Sequence, residues 1–144
     1  MHPYIHAKKN PNKPALIMAS SGEITTYKEL DERSNQIAHL FRQKGLKIGD
    51  GISIFMENNS RFLEICWAAQ RSGLYFTPIS SKLTAAEVKY IHDDCNSQFL
   101  ISSKYLKNVA NETFQLTKKT KHHYMVDGVE EGWQSFENAI MDLP

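Results

Sequence analysis

The stretch that most limits what this chain can become is residues 52–81, ISIFMENNSRFLEICWAAQRSGLYFTPISS. Ile52, Ile54 and Met56 alternate with Ser53, Phe55 and Glu57, the period of two that suits a strand. Asn58, Asn59 and Ser60 each offer a short polar side chain to the orphan N–H groups of a helix start. Phe62, Ile65, Cys66 and Ala69 follow at helical spacing, with Leu63 and Trp67 apolar on a neighbouring face, so this helix is expected to be buried over most of its circumference. Trp67 is expected in the core. Ser72-Gly73 ends the helix, with Gly73 free to turn left-handed. Leu74 to Thr77 form a second β-prone run, which Pro78 should stop. Joints this short leave a parallel βαβ unit with a right-handed crossover.

Around this unit the same reading extends in both directions. Residues 2–14 contain three of the chain's prolines and read as an irregular lead-in. Ala15–Ala19 and Glu23–Thr26, separated by Ser20-Ser21-Gly22, predict a β-hairpin. Thr26 and Glu29 complete a capping box that opens a helix over Tyr27, Leu30, Ser34, Ile37, Ala38 and Phe41. Gly45 stops that helix. Thr84 and Glu87 form a second capping box. Its helix carries Val88, Tyr90 and Ile91 on an apolar side and frays at Asp93-Asp94, which oppose the helix dipole. Gln98–Ser102 is the next strand and Ser103–Leu116 a weak helix. Lys118–His123 is a basic connection, Tyr124–Val126 a short strand, and Ser135–Met141 a last helix. The order predicts an α/β domain: a mostly parallel sheet with flanking helices and an N-terminal β-hairpin.

Composition narrows the function classes. A net charge of +1 gives no reason to expect nucleic acid or an anionic membrane as partner. No apolar run approaches the roughly 20 residues of a spanning helix, and the first residues lack a secretory h-region. Cys66 and Cys95 are too few for a disulfide framework, and Cys66 on an apolar helix reads as a buried reduced thiol. A cytoplasmic protein is the expectation.

Candidate chemistry is sparse. A doubly wound sheet binds ligands beyond the carboxyl ends of its strands, here the loops Met56–Ser60, Pro78–Thr84 and Ser102–Lys104. None has a phosphate-loop sequence. Gly45, Gly49 and Gly51 precede a strand and lack a following Lys-Ser or Lys-Thr, so they read as turn glycines. His92 with Cys95, at a helix end among acidic neighbours, reads as a helix-end histidine and a half-buried cysteine, since acidic neighbours disfavour a thiolate. His122-His123 beside Lys118, Lys119 and Lys121 suggests an anion or metal site, but a solvated loop is the expectation because the cations repel a metal. Glu29 is explained by its capping box. No catalytic, cofactor-binding or metal-ligating residue is assigned.

Longer stretches carry a resemblance. Thr25-Thr26-Tyr27-Lys28-Glu29-Leu30 resembles the first core motif of the adenylate-forming, AMP-binding superfamily of acyl-CoA synthetases, amino-acid adenylation domains and luciferases. Ala69 to Ile79, AQRSGLYFTPI, resembles the second. Residues 31–38, 44–50 and 83–87 resemble the family's connecting text. Cys66 to Tyr75 is most similar to the fatty-acyl-CoA synthetases (long-chain fatty-acid–CoA ligases) and to the carnitine- or bile-acid-type CoA ligases. Ser80 and Gly51 depart from the family's usual Asn or Asp and Arg.

The resemblance implies that residues 1–144 are the truncated N-terminal subdomain of such an enzyme, part of an acetyl-CoA-synthetase-like large domain. The parent would join a fatty acid to coenzyme A with ATP and Mg²⁺ through an acyl-adenylate, releasing AMP and pyrophosphate. The family's phosphate loop, nucleotide motifs and catalytic lysine would lie downstream, so the chain alone should be inactive and hold no cofactor. Its partners would be the remainder of the parent enzyme and, through an exposed sheet edge, a second copy. The alternatives are a non-catalytic α/β module that binds a partner, or a segment of an amino-acid adenylation domain or acyl-AMP ligase.

Overall fold

The computed structural model describes residues 2–144. The chain opens on helix α1 (Pro3–Lys9), where an irregular lead-in was expected. Pro3 sits at the first helical position, where a missing N–H costs nothing. His2 caps the helix, its Nδ1 accepting from the Tyr4 N–H at 3.2 Å. Pro3, one of the three prolines of the expected irregular lead-in, thus starts a helix. Strands β1 (Pro14–Ile17) and β2 (Ile24–Thr26) pair antiparallel as the expected hairpin, outside the main sheet. Helix α2 (Tyr27–Gln43) follows directly, and both halves of the Thr26–Glu29 capping box form.

The main sheet contains β3 (Gly51–Phe55), β4 (Tyr75–Ile79), β5 (Ser97–Ser103), β6 (His122–Val126) and β7 (Gln134–Ser135) in the order β4-β3-β5-β6-β7, all parallel. The connecting helices are α3 (Ser60–Arg71), α4 (Ala85–Asp94) and α5 (Lys107–Leu116), the last preceded by a 3₁₀ turn at Lys104–Leu106, with α6 (Phe136–Ile140) after β7. The chain enters at β3, steps one way to β4, then crosses β3 to lay down β5, β6 and β7. The step to β4 and the steps to β5 and β6 run in opposite directions, and right-handed crossovers then put α3 on one face and both α4 and α5 on the other. One face packs Ile52, Ile54, Phe99, Ile101, Tyr124 and Val126 against apolar residues of α2, α3 and α6. The other packs Phe55, Ile79, Leu100 and Met125 against Val88 of α4 and Ala110 of α5. With layers on both sides, these strands read as apolar runs more than as strict alternations.

Helices α2 and α3 end alike. Gly45 (φ 84°) and Gly73 (φ 72°) turn left-handed. The next N–H reaches back to the C3 carbonyl, Leu46 to Phe41 at 3.1 Å and Leu74 to Ala69 at 2.9 Å. This Schellman geometry satisfies carbonyls the helix would otherwise leave bare. Asn96 (φ 50°) turns left-handed just after α4, so Asp93-Asp94 stay helical where fraying was expected.

Other expectations need correcting. Pro78 does not stop β4, which runs to Ile79 with Pro78 opposite Ile54. β4 is the sheet's edge, where a missing amide can face outward. Trp67 is half-buried, not core: its ring lies at the rim of α3 against the His2 ring, centroids 5.0 Å apart. β6 begins at His122, inside what was read as a basic loop, and the short β7 had no counterpart in the periodicity. No described helix is long and apolar enough to cross a membrane.

Candidate functional site

The strand order reverses between β3 and β5, and the carboxyl ends of those strands are where such a sheet opens a crevice. Here that crevice is filled by the chain's own side chains. The Ser103 hydroxyl at the end of β5 donates to Glu57, just beyond β3. The Asn59 amide donates to Glu57 at 3.2 Å and to Asp127 at 2.8 Å. The Asp127 N–H in turn donates to Glu137 Oε1 at 2.9 Å. Asp127 holds φ 64° at the turn after β6, which brings its carboxylate to Asn59. One amide, one hydroxyl and three carboxylates thus tie β3, β5, the β6 turn and α6 into a polar clasp.

Two clefts flank the clasp. One of about 610 Å³ lies along Phe62, Pro78, Ile79, Ser80 and Tyr105. The other, of about 280 Å³, lies along Arg33, Asn58, Ser60, Arg61 and Asp127. Its two arginines are already engaged: Glu64, buried at 1% exposure, accepts from Arg33 at 3.1 Å and from Arg61 at 3.0 Å. Neither cleft pairs a nucleophile with a base. Among the described residues no group of three or more His, Cys, Asp or Glu is placed to hold a metal ion.

The glycines at the opposite, amino end do not fit a phosphate. The Gly45 N–H goes to Arg42 O at 3.0 Å and the Gly49 N–H to Gly73 O at 2.9 Å, so these donors are spent inside the fold. His92 and Cys95 do not share a site. Cys95 is exposed, not half-buried, while His92 is 1% exposed with Nδ1 on Ser53 Oγ (2.9 Å) and Nε2 on Thr120 Oγ1 (2.7 Å). Burial first, and Lys89 after it, hold the His92 pKa below its ordinary value against the opposing pull of Asp93. His122 and His123 are not a solvated loop. The His122 ring stacks on Phe99, centroids 4.7 Å apart. His123 is buried with Nε2 on Thr117 Oγ1 at 2.9 Å. Burial pushes the Cys66 thiol up to about 11, so it is an inert core group. Glu29 serves its cap, the Thr26 N–H holding its pKa down.

Sequence reasoning missed Glu64 and the Glu57–Ser103 clasp. Glu64 stands among apolar neighbours at Phe62, Leu63, Ile65 and Cys66, and that position was a usable signal. The clasp joins residues 46 apart, and no local pattern announces it.

A family model for AMP-binding enzymes matches residues 4–142. The chain is 30% identical over 138 residues to 4-hydroxybutyrate–CoA ligase 1 of Metallosphaera sedula, covering 93% of this chain and 24% of that protein. It is 33% identical over 95 residues to a fatty acid–[acyl-carrier-protein] ligase of Streptomyces coeruleorubidus, 66% of this chain and 18% of that one. Among solved structures, an anthranilate CoA ligase in complex with anthranoyl-AMP superposes with TM-score 0.86 at 20% identity, over 99% of this chain and 28% of its own. A putative long-chain-fatty-acid CoA ligase from Rhodopseudomonas palustris gives 0.88 at 18%, over 99% and 36%. The chain therefore spans about a fifth to a third of the length of these four proteins.

Proposed function

Because the chain belongs to the AMP-binding enzyme family, we propose that it is the N-terminal subdomain of a cytoplasmic, ATP-dependent, AMP-forming acid–CoA ligase whose substrate is a fatty acid. The observation that carries this is the family match over residues 4–142, together with similarity to a carboxylic acid–CoA ligase along nearly the whole chain. The segment scaffolds the chemistry and supplies no catalytic or cofactor-binding residue of its own. The spent glycine amides and the filled crevice between β3 and β5 support that assignment.

The test is ATP–pyrophosphate exchange with fatty acids of graded length. The 144-residue chain should give none, and a polypeptide carrying the family's downstream motifs should give exchange and form acyl-CoA. Exchange by the chain alone would overturn the scaffold role.

A second reading has an observation of its own. The Streptomyces fatty acid–[acyl-carrier-protein] ligase and tyrocidine synthase 3 of Brevibacillus parabrevis are each 33% identical to this chain, over 95 and 102 residues. In that reading the acyl group passes to a carrier protein. Supplying the longer polypeptide with CoA or with a phosphopantetheinylated carrier separates the two.

A further inference from the structure

The hairpin β1–β2 stands outside the main sheet and has no third strand among the described residues. A two-stranded hairpin is marginal by itself in water and needs further strands or a packed layer. One face has such a layer: Thr25 is 2% exposed, and both strands pack against α2. The other face has none. Ile17 and Ile24 lie directly opposite each other in the register and are 60% and 52% exposed. An antiparallel sheet that faces water normally turns polar residues to that side. Neither strand carries a charged residue, and charged side chains are a usual guard of an open sheet edge.

We propose that the outer face of this hairpin is a docking surface for an apolar segment of the same polypeptide, drawn from the part that continues beyond Pro144. The proposal rests on the reading of residues 1–144 as the opening of a longer ligase.

The position of the last residues favours this occupant. Leu143 O accepts from Gln36 Nε2 of α2 at 3.0 Å, and Pro144 shares a cleft with Glu29, Arg33 and Gln36. Glu29 in turn accepts from the N–H of Thr26, the end of β2, at 2.9 Å. Pro144 therefore stands beside the hairpin, about one helical turn along α2 from the last strand residue. A segment tethered there meets the hairpin at high effective concentration, an advantage that a second copy lacks. The two solved chains of which this one covers 28% and 36% superpose over 99% of it, so the same fold, hairpin included, stands within longer polypeptides.

Thiol accessibility tests this in a Cys95→Ser background, because Cys95 is exposed whereas Cys66 is buried. Ile17→Cys and Ile24→Cys are introduced separately into the 144-residue chain and into a polypeptide continued through the family's downstream motifs. Ser21→Cys, in the exposed turn between the strands, is the control. A maleimide should react quickly with both introduced strand thiols in the shorter chain and by about tenfold or more slower in the longer one. The Ser21→Cys thiol should react quickly in both. Amide hydrogen exchange of the unsubstituted proteins over residues 14–26 should slow in the same direction. Equal thiol rates at the two lengths would overturn the proposal. So would slowing in the 144-residue chain that grows with its concentration, which would put a second copy on this face. ATP–pyrophosphate exchange by the same longer polypeptide is read separately. Exchange with both strand thiols still fast overturns the docking alone, whereas protected thiols without exchange sink the ligase reading and leave the docking standing.

Discussion

Acid should destabilise this fold through His123 before it reaches the carboxylates. The ring is buried between Phe114 and Trp133, with centroids 4.6 and 5.4 Å away. The Thr117 hydroxyl donates to Thr113 O at 2.8 Å, so it accepts from His123 Nε2–H. A second proton would have to enter at Nδ1, inside an aromatic box. Burial above all, then the neighbouring His92 and His122, lower its pKa from 6.5 to about 4. Between those values the unfolded chain binds a proton that the native chain refuses. The histidine's contribution is therefore whole above about pH 6.5, declines as pH falls and is gone near pH 4. At about 1.4 kcal/mol per pH unit, the loss from this one group is roughly 3 kcal/mol. Glu29 and Glu87 are held below 4.5 by their threonine caps, so their losses come at lower pH. Urea unfolding followed by circular dichroism, at steps from neutral pH to about pH 5, isolates the histidine window. His123→Phe keeps the box filled and leaves the Thr117–Thr113 bond intact. The variant should lose about 1.4 kcal/mol per pH unit of slope near pH 5. The shallower slope that survives belongs to His92, His122 and His2, whose pKa values burial also lowers. Parallel stability curves for the two proteins would refute the reasoning.

Two further substitutions probe the frame. Glu64→Ala leaves Arg33 and Arg61 facing each other without their shared carboxylate. Breaking a buried pair costs 3–5 kcal/mol, but Arg33 is a third exposed and can hydrate, so a loss of about 2–3 kcal/mol is expected in urea unfolding. A loss under about 0.5 kcal/mol would mean the pair behaves as a surface one. Gly132→Ala puts a Cβ 2.5 Å from Phe114 Cζ at a backbone φ of 89°. It should cost roughly 2–3 kcal/mol in thermal melts, and a neutral result would deny that this turn is tightly packed.

Much of the architecture was legible because it is written locally. Thr26–Glu29 and Thr84–Glu87 are capping boxes in sequence and in space, and Gly45 and Gly73 end their helices as their positions require. The βαβ unit at the centre formed as its short joints demand. What failed depended on distant partners. Pro3 was read into an irregular lead-in and Pro78 as a strand stop, but one starts a helix and the other lies on a sheet edge, and sequence alone does not say which strand is outermost. The histidines depended on distant partners too. His122-His123 were read as a solvated loop and His92 only as a helix-end residue, whereas His92 and His123 are buried with Ser53, Thr120 and Thr117 satisfying their nitrogens. Trp67 was assigned to the interior because its helix was expected to be buried over most of its circumference, but it lies half-buried on α3 with the His2 ring against the indole. At the candidate site, the loops were located correctly as strand ends; the clasp that fills them was not, since Glu57, Ser103, Asp127 and Glu137 meet only once the sheet is assembled.

Pro78 also sets rules for whatever lies alongside β4. The Tyr75 N–H points inward, to Asp50 O at 2.9 Å, so by alternation the backbone groups of Phe76 and Pro78 point away from β3. That flank therefore offers a newcomer a single amide hydrogen, from Phe76, and a blank beside it. A strand arriving from elsewhere can zip along the first half of β4 and must then peel away, leaving the sheet's carboxyl rim unobstructed on that side.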